Sequence, residues 1–232
     1  MWPKHILIAP IVYKIVYLCS YFIIYKIKVL MNQIKNIIFD FGGVLIDWNP
    51  VYLYKNVFKR DEEMNFFLEN ICHSDWNVMQ DAGRPLSFAT KLLQNEHPDY
   101  TEQIEMYYGR WEEMLGGTID ENVSLIKPLK EKYRVYGLTN WSAETLPIAM
   151  NKYDFFNDLD GIVVSGTEKL IKPDPKFYNV LLDRYNIKSE ESLFIDDNYD
   201  NIEAAKKMGF KTIHFANGLL LKEKLEELGV LA

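Results

Sequence analysis

The stretch Ile37-Ile38-Phe39-Asp40-Phe41-Gly42-Gly43-Val44-Leu45 decides the fold. Its apolar residues are contiguous rather than alternating, which is the pattern of a strand covered on both faces. An acid closing such a strand serves no packing purpose, because a buried charge is costly unless it is partnered. In open α/β sheets ligands bind outside the carboxyl ends of the strands, and glycines there let backbone N–H groups approach an anion. Asp40 is therefore placed for chemistry, with Gly42 and Gly43 giving close backbone access.

A second stretch, Phe194-Ile195-Asp196-Asp197-Asn198, repeats the arrangement of apolar strand followed by acids. Alone it also reads as a capped turn into a helix. With Asp40 it makes three converging carboxylates, which repel one another unless a cation joins them. A hard, oxygen-seeking ion such as Mg²⁺ suits that donor set and keeps coordination positions for a phosphate. Two weaker features lie between them: Leu138-Thr139-Asn140, after another apolar run, and Lys172-Pro173-Asp174-Pro175, before a helical pattern. In isolation Thr139 is a helix cap and Lys172 a solvated loop lysine. In this order they add a hydroxyl and an ammonium to a nucleophilic carboxylate and an acid pair, which are the parts of a phosphoryl-transfer site.

Working outward, short apolar runs alternate with helical periodicity, the signature of a parallel sheet covered by helices. Residues 36–41, 134–139, 161–165, 193–196 and 212–215 read as strands, and 175–185 and 201–208 as helices, the second stopped by Gly209. Between the first two strands lie about 80 residues without a strand pattern. They hold helical stretches near 62–71, 86–96 and 101–114. The expected fold is a doubly wound, Rossmann-like α/β core (31–47 and 122–232) with an all-helical insertion (48–121). No Gly/Ser linker flanks the insertion, so it should pack near the sheet.

Composition narrows the function. The 232 residues carry a net charge of −7 with no basic cluster beyond the N-terminal segment, which disfavours a nucleic-acid partner. Cys19 and Cys72 make neither a disulfide framework nor a zinc site, and His5, His73, His97 and His214 fall at no metal-ligand spacing. The chain contains no Gly-x-Ser-x-Gly elbow, no phosphate-binding Gly-x-x-x-x-Gly-Lys loop and no dinucleotide fingerprint. Residues 1–30 stand apart, with 22 apolar residues, four lysines and no acid. Ile6 to Tyr25 is long enough for a membrane anchor, but Pro10 and Lys14 interrupt it. The reading adopted is that the folded chain begins at Met31 and is cytoplasmic, a membrane role arising only if residues 1–30 are a real anchor. A chain started at Met31 is expected to be soluble and fully active, as expression and turnover measurements would report; an insoluble or inactive product contradicts it.

From Ile34 to the C-terminus the sequence resembles the haloacid dehalogenase superfamily of hydrolases. The stretches FDFGGVL, LTN, KLIKPDPKFY and FIDDNYDNIEAAKKMG look like its four motifs in order, and the helical insertion resembles its cap. The pattern is most similar to anomeric sugar-phosphate phosphatases and the phosphatase domain of soluble epoxide hydrolases. The resemblance implies a doubly wound core and Mg²⁺-dependent hydrolysis of a small phosphorylated metabolite. It makes Asp40 the nucleophile and a metal ligand, with the Gly42 carbonyl, Asp197 and, assisting, Asp196 as further ligands. It gives phosphate binding to Thr139 and Asn140, with Gly43 beside them, and charge balance to Lys172. Dehalogenases of the superfamily displace halide from carbon and lack the paired acids, so Asp196-Asp197 argues for a phosphatase. A non-catalytic phosphate-binding relative is the remaining alternative.

The sequence departs from the family's phosphatases at one place. They carry a second Asp two residues after the nucleophile, and here that position is Gly42. A general acid contributes about 10²–10⁴-fold. Either another group serves, Asp47 being the nearest acid in sequence, or the substrate's leaving group needs little protonation, as in a hexose 1-phosphate; the second is the expectation. Of the aromatic residues of the insertion, Trp76, Trp111, Tyr107 and Tyr108 are expected mainly to pack the core.

Overall fold

The computed structural model describes residues 33–216 and 218–231, so the expectations for residues 1–30 lie outside the described residues. β1 (Asn36–Phe39) is followed by a tight curl in which the Leu45 and Ile46 N–H groups both donate to the Phe41 carbonyl. The curl leads into β2 (Ile46–Trp48), which pairs antiparallel with β3 (Leu115–Thr118). Between these two strands lie five helices: α1 (Val51–Tyr54), α2 (Asp61–Asn70), α3 (Ser74–Asp81), α4 (Leu86–Glu96) and α5 (Thr101–Gly109). After β3 come α6 (Asp120–Val123), α7 (Ile126–Lys130), β4 (Arg134–Thr139), α8 (Leu146–Lys152), β5 (Gly161–Val164) and α9 (Ser165–Glu168). The remaining elements are α10 (Pro175–Tyr185), β6 (Ser192–Asp196), α11 (Tyr199–Lys207), β7 (Lys211–His214) and α12 (Leu221–Glu227).

The main sheet has the order β5-β4-β1-β6-β7, every pair parallel. Its side chains divide by parity. Ile37 and Phe39 of β1 join Val135, Leu193 and Ile195 in one apolar layer, completed by Ile126, Leu129, Leu146, Ala149, Leu221 and Leu225 from α7, α8 and α12. Ile38 joins Tyr136, Leu138 and Phe194 in the other, completed by Phe177, Tyr178, Leu181, Ile202 and Ala205 from α10 and α11. Both faces are covered, which explains the contiguous apolar strands. Each fully buried aliphatic or phenyl side chain contributes about 1.5–3 kcal/mol.

Strand and helix positions follow the sequence reading within one or two residues, and β4, α4 and α10 match it end to end. Pro175 opens α10 behind Asp174, whose carboxylate accepts the Lys176 N–H at 2.9 Å. Gly209 at φ +93° ends the turn after α11. The insertion departs from expectation in three ways. It is not free of strands, because β2 and β3 form a ribbon at its base; a three-residue strand and one reading Leu-Gly-Gly-Thr carry no periodic apolar signal. The helix expected to reach Met114 stops at Gly109, and Trp111–Met114 forms a separate 3-10 turn. Helix α3 was not foreseen, since its sequence SDWNVMQD buries only Trp76 and Gln80.

Polar contacts lock the insertion to the sheet layer. The Leu86 N–H donates to Glu144 (2.9 Å) and the Ser165 hydroxyl donates to the Asp81 carbonyl (2.6 Å). Among the described residues no helix is long and apolar enough to cross a membrane.

Candidate active site

The order of strands reverses at β1, from which the chain runs outward through β4 and β5 on one side and β6 and β7 on the other, and this switch point is where open α/β sheets bind ligands. Phe39 is level with Gly137 on one side and Ile195 on the other. Asp40, Thr139 and Asp196 consequently leave three adjacent strands at the same end, and the loop after α9 delivers Lys172 among them. The structure brings together the residues that the sequence reading had separated by 156 positions.

Lys172 is the centre of this cluster. Its side chain is fully buried, and its ammonium lies 2.9 Å from Asp40 Oδ1 and 2.7 Å from Asp196 Oδ2, 5.5 Å above the Phe194 ring. Burial alone would push the ammonium down; Asp196 and Asp40 outweigh it and hold Lys172 above the usual lysine range. Asp40 also accepts the Phe41 N–H at 2.7 Å. Desolvation pushes its carboxyl up to about 7, against the pull of Lys172 and with Asp196 and Asp197 adding to the rise. Asp197 is raised as well, by desolvation and then by Asp196. Ligand oxygens of Asp40, Asp196 and Asp197 lie within 4.8 Å of one another. One ammonium does not balance three carboxylates. A divalent cation fits this donor set.

The acids are not equivalent. Asp196 is fully enclosed: beside Lys172 it accepts the Asn198 N–H (2.8 Å) and both its oxygens accept from the Asn201 amide (3.0 and 3.1 Å). Asp197 is exposed and holds no side-chain partner of that kind.

Two residues expected to hold phosphate make other contacts within the chain. The Gly43 N–H, expected beside an anion, donates to the Ile46 carbonyl at 2.9 Å. Gly43 matters sterically instead: it sits at φ +71°, and a Cβ there would overlap the Asp197 carboxylate. The Asn140 side chain grips the Lys172 main chain, one amide N–H donating to its carbonyl (3.0 Å) and the oxygen accepting its N–H (2.8 Å), contacts that leave the second amide N–H unused at the cavity wall. It positions Lys172. Thr139 is different: its hydroxyl is buried and has no protein partner, the state of a group kept for a ligand.

Asp40 and Gly42 open onto a cavity of about 110 Å³, room for several water molecules or a small organic group. The sheet side adds Asn140, Trp141, Ser142 and Thr145, and β2 adds Trp48. The insertion contributes Asn77, Asp81, Tyr108 and Trp111. The four aromatic residues of the insertion therefore divide. Trp76 and Tyr107 pack edge to face in the core (5.2 Å between centroids), whereas Tyr108 and Trp111 reach the cavity. Asp47 does not line it; its carboxylate accepts from the Tyr52 hydroxyl at 2.6 Å. A Cβ on Gly42 would meet nothing within 4 Å, so the position tolerates a side chain.

Sequence reasoning did not single out Asp81, because the helix that it ends was itself not read from the sequence.

The chain has relatives among proteins of known activity or structure. The chain is similar to a sesquiterpene phosphatase, astK, of Aspergillus oryzae (26% identical, spanning 84% of this chain and 96% of the relative). It is also similar to a D-ribitol-5-phosphate phosphatase of Bacteroides thetaiotaomicron (24% identical, 83% and 97%). A haloacid dehalogenase family enzyme from the latter organism, solved with magnesium and inorganic phosphate, superposes with a TM-score of 0.63 (24% identical, 81% of this chain and 96% of that one). The family model described as haloacid dehalogenase-like hydrolase matches residues 37–215, from the first residues of β1 to just past β7, and the chain belongs to that hydrolase family.

Proposed function

We propose that the protein is a Mg²⁺-dependent phosphomonoester hydrolase that acts through a phosphorylated Asp40 on a small sugar phosphate, such as a hexose 1-phosphate. The observation that carries the reading is Asp40 itself, held 2.9 Å from a buried ammonium, beside two further carboxylates and at the mouth of a cavity to which four aromatic rings contribute. The magnesium and phosphate bound by the Bacteroides enzyme support the choice of ion and group. Asp40, Asp197 and Asp196, with the Gly42 carbonyl, would hold the ion, which when bound offsets negative charge on the phosphoryl group.

The chain's own residues do the rest. Asp40 attacks phosphorus in line and the leaving oxygen departs; water then hydrolyses the aspartyl-phosphate and regenerates the carboxylate. Lys172 balances charge between Asp40 and the phosphoryl oxygens, and the unpartnered Thr139 hydroxyl donates to one of them. Asn140 acts through Lys172, whose main chain it grips at both ends. The acid pair argues against halide displacement, which leaves no phosphate charge for a metal to offset. The helical insertion between β2 and β3 serves as the cap that closes the site, and its Tyr108 and Trp111, with Trp48 and Trp141, offer flat faces to a sugar ring.

A hexose 1-phosphate is expected to be cleaved with kcat/KM about 10-fold above the matching 6-phosphate, because its anomeric oxygen is the weaker base and leans less on whichever acid the site supplies in place of one at Gly42. Gly42→Asp, for which the cavity has space, is expected to narrow the gap, and a chelator is expected to abolish both activities. Equal rates on the two esters would remove the 1-phosphate assignment. Turnover unaffected by chelation would remove the metal.

A further inference from the structure

We infer that Asp81, at the end of α3, is the acid that protonates the leaving oxygen, doing from the insertion what Gly42 does not do from the sheet; the inference rests on the phosphatase reading above. Asp40 and Asp81 are the two acids among the described residues that line the cavity. They reach it from different layers, so an ester whose phosphorus meets Asp40 extends its leaving group toward the wall that carries Asp81.

The carboxyl is held in place from several directions. The Ser142 N–H donates to it, three residues beyond the Thr139 hydroxyl. The Asn77 amide donates to its Oδ2 at 3.2 Å. Its main-chain carbonyl accepts from Ser165 Oγ (2.6 Å), which in turn accepts the Trp141 N–H (2.8 Å), so the end of α3 is tied to the loop after β4. The turn that follows is close-packed: a Cβ on Gly83 would stand 3.0 Å from the Gly166 carbonyl.

Its protonation suits a donor. Desolvation pushes the Asp81 carboxyl up to about 7, with the Ser142 N–H drawing it down by less. The titratable neighbours are the Tyr107 and Tyr108 hydroxyls, both raised by burial and neutral at pH 7. The nearest cation in sequence, Arg84, is committed to Gln80 Oε1 (2.6 Å) and the Trp76 carbonyl (3.3 Å). A desolvated acid at a helix C-terminus with no ion pair destabilises the fold, and a purely structural acceptor there would be served better by asparagine.

The step balances. As Asp40 Oδ bonds to phosphorus, the P–O bond of the ester breaks, its electron pair stays on the leaving oxygen, and that oxygen takes the Asp81 proton to become an alcohol. Asp81, now a carboxylate, accepts a proton from the water that attacks the aspartyl-phosphate, which restores Asp40 and the Asp81 acid and releases inorganic phosphate.

The test is the leaving-group dependence of Asp81→Asn, an isosteric change that keeps an acceptor for the Ser142 N–H. On a hexose 6-phosphate kcat/KM is expected to fall about 10²-fold or more, and on p-nitrophenyl phosphate, whose leaving group needs no proton, less than 10-fold. Asp81→Ser, which also drops the acid, is expected to show the same split, and adding Gly42→Asp to Asp81→Asn is expected to restore the alkyl ester alone. A uniform loss on both esters, or none on either, overturns the role of Asp81 while leaving the phosphatase reading intact. A parent enzyme that releases no phosphate from any ester with Mg²⁺ present overturns both.

Discussion

Asp40→Asn is expected to reduce phosphate release to background, a loss of at least about 10⁴-fold, the scale on which hydrolases lose turnover when their nucleophile is removed. The amide keeps the shape of the carboxylate and can still accept the Phe41 N–H, so the backbone after β1 has no reason to move. Stability should be equal or higher. In the folded protein the carboxyl is raised to about 7, above its unfolded value, so at neutral pH the native state bears the cost of keeping Asp40 charged among Asp196 and Asp197. Replacing it with a neutral group removes that cost. Inactivity together with an unchanged or raised Tm separates loss of chemistry from loss of fold; an active Asp40→Asn protein would exclude Asp40 as the nucleophile.

Lys172→Met is expected to damage stability and activity together. The ammonium is fully buried and is the cation shared by Asp40 and Asp196, at 2.9 and 2.7 Å. Deleting one partner of a buried ion pair leaves an uncompensated charge and costs about 3–5 kcal/mol, which in a chain of this size lowers Tm by roughly 10 °C. Methionine fills the space over Phe194, so the loss reports charge rather than a cavity. Adding Asp40→Asn should recover part of the lost Tm and none of the turnover, because the second change removes one of the stranded carboxylates. A Lys172→Met protein that melts within 2 °C of the parent would show that the cluster is solvated and that Lys172 is not its keystone.

The site was legible in the sequence wherever chemistry contradicts packing. Asp40 and Asp196-Asp197 stand out because acids do not end buried apolar runs without a purpose, and the same runs specify a sheet covered on both faces. Thr139 and Lys172 were legible only through their order along the chain, since a threonine at a strand end and a lysine before Pro-Asp-Pro are ordinary when read alone. The roles expected for Gly43 and Asn140 were not legible, because which atoms a backbone curl or an amide consumes depends on neighbours distant in sequence. Gly43 meets Asp197, and Asn140 meets Lys172, through contacts made only once the strands are side by side.

By itself, then, the sequence determined the layering, the places of the core strands along the chain and the three acids that meet at their ends, because burial and charge are local properties that leave a periodic or a conspicuous trace. Tertiary structure alone decided what faces that site. The β2–β3 ribbon carries no periodic pattern, and α3 buries only Trp76 and Gln80, yet together they set the insertion over Asp40 and bring Trp48, Tyr108, Trp111 and Asp81 to the cavity. Nothing in the spacing of Asp81 from Asp40 announces that the two share a pocket, since that follows from hydrogen bonds between Ser142, Ser165 and the end of α3, and hydrogen bonds across layers leave no mark in a linear chain.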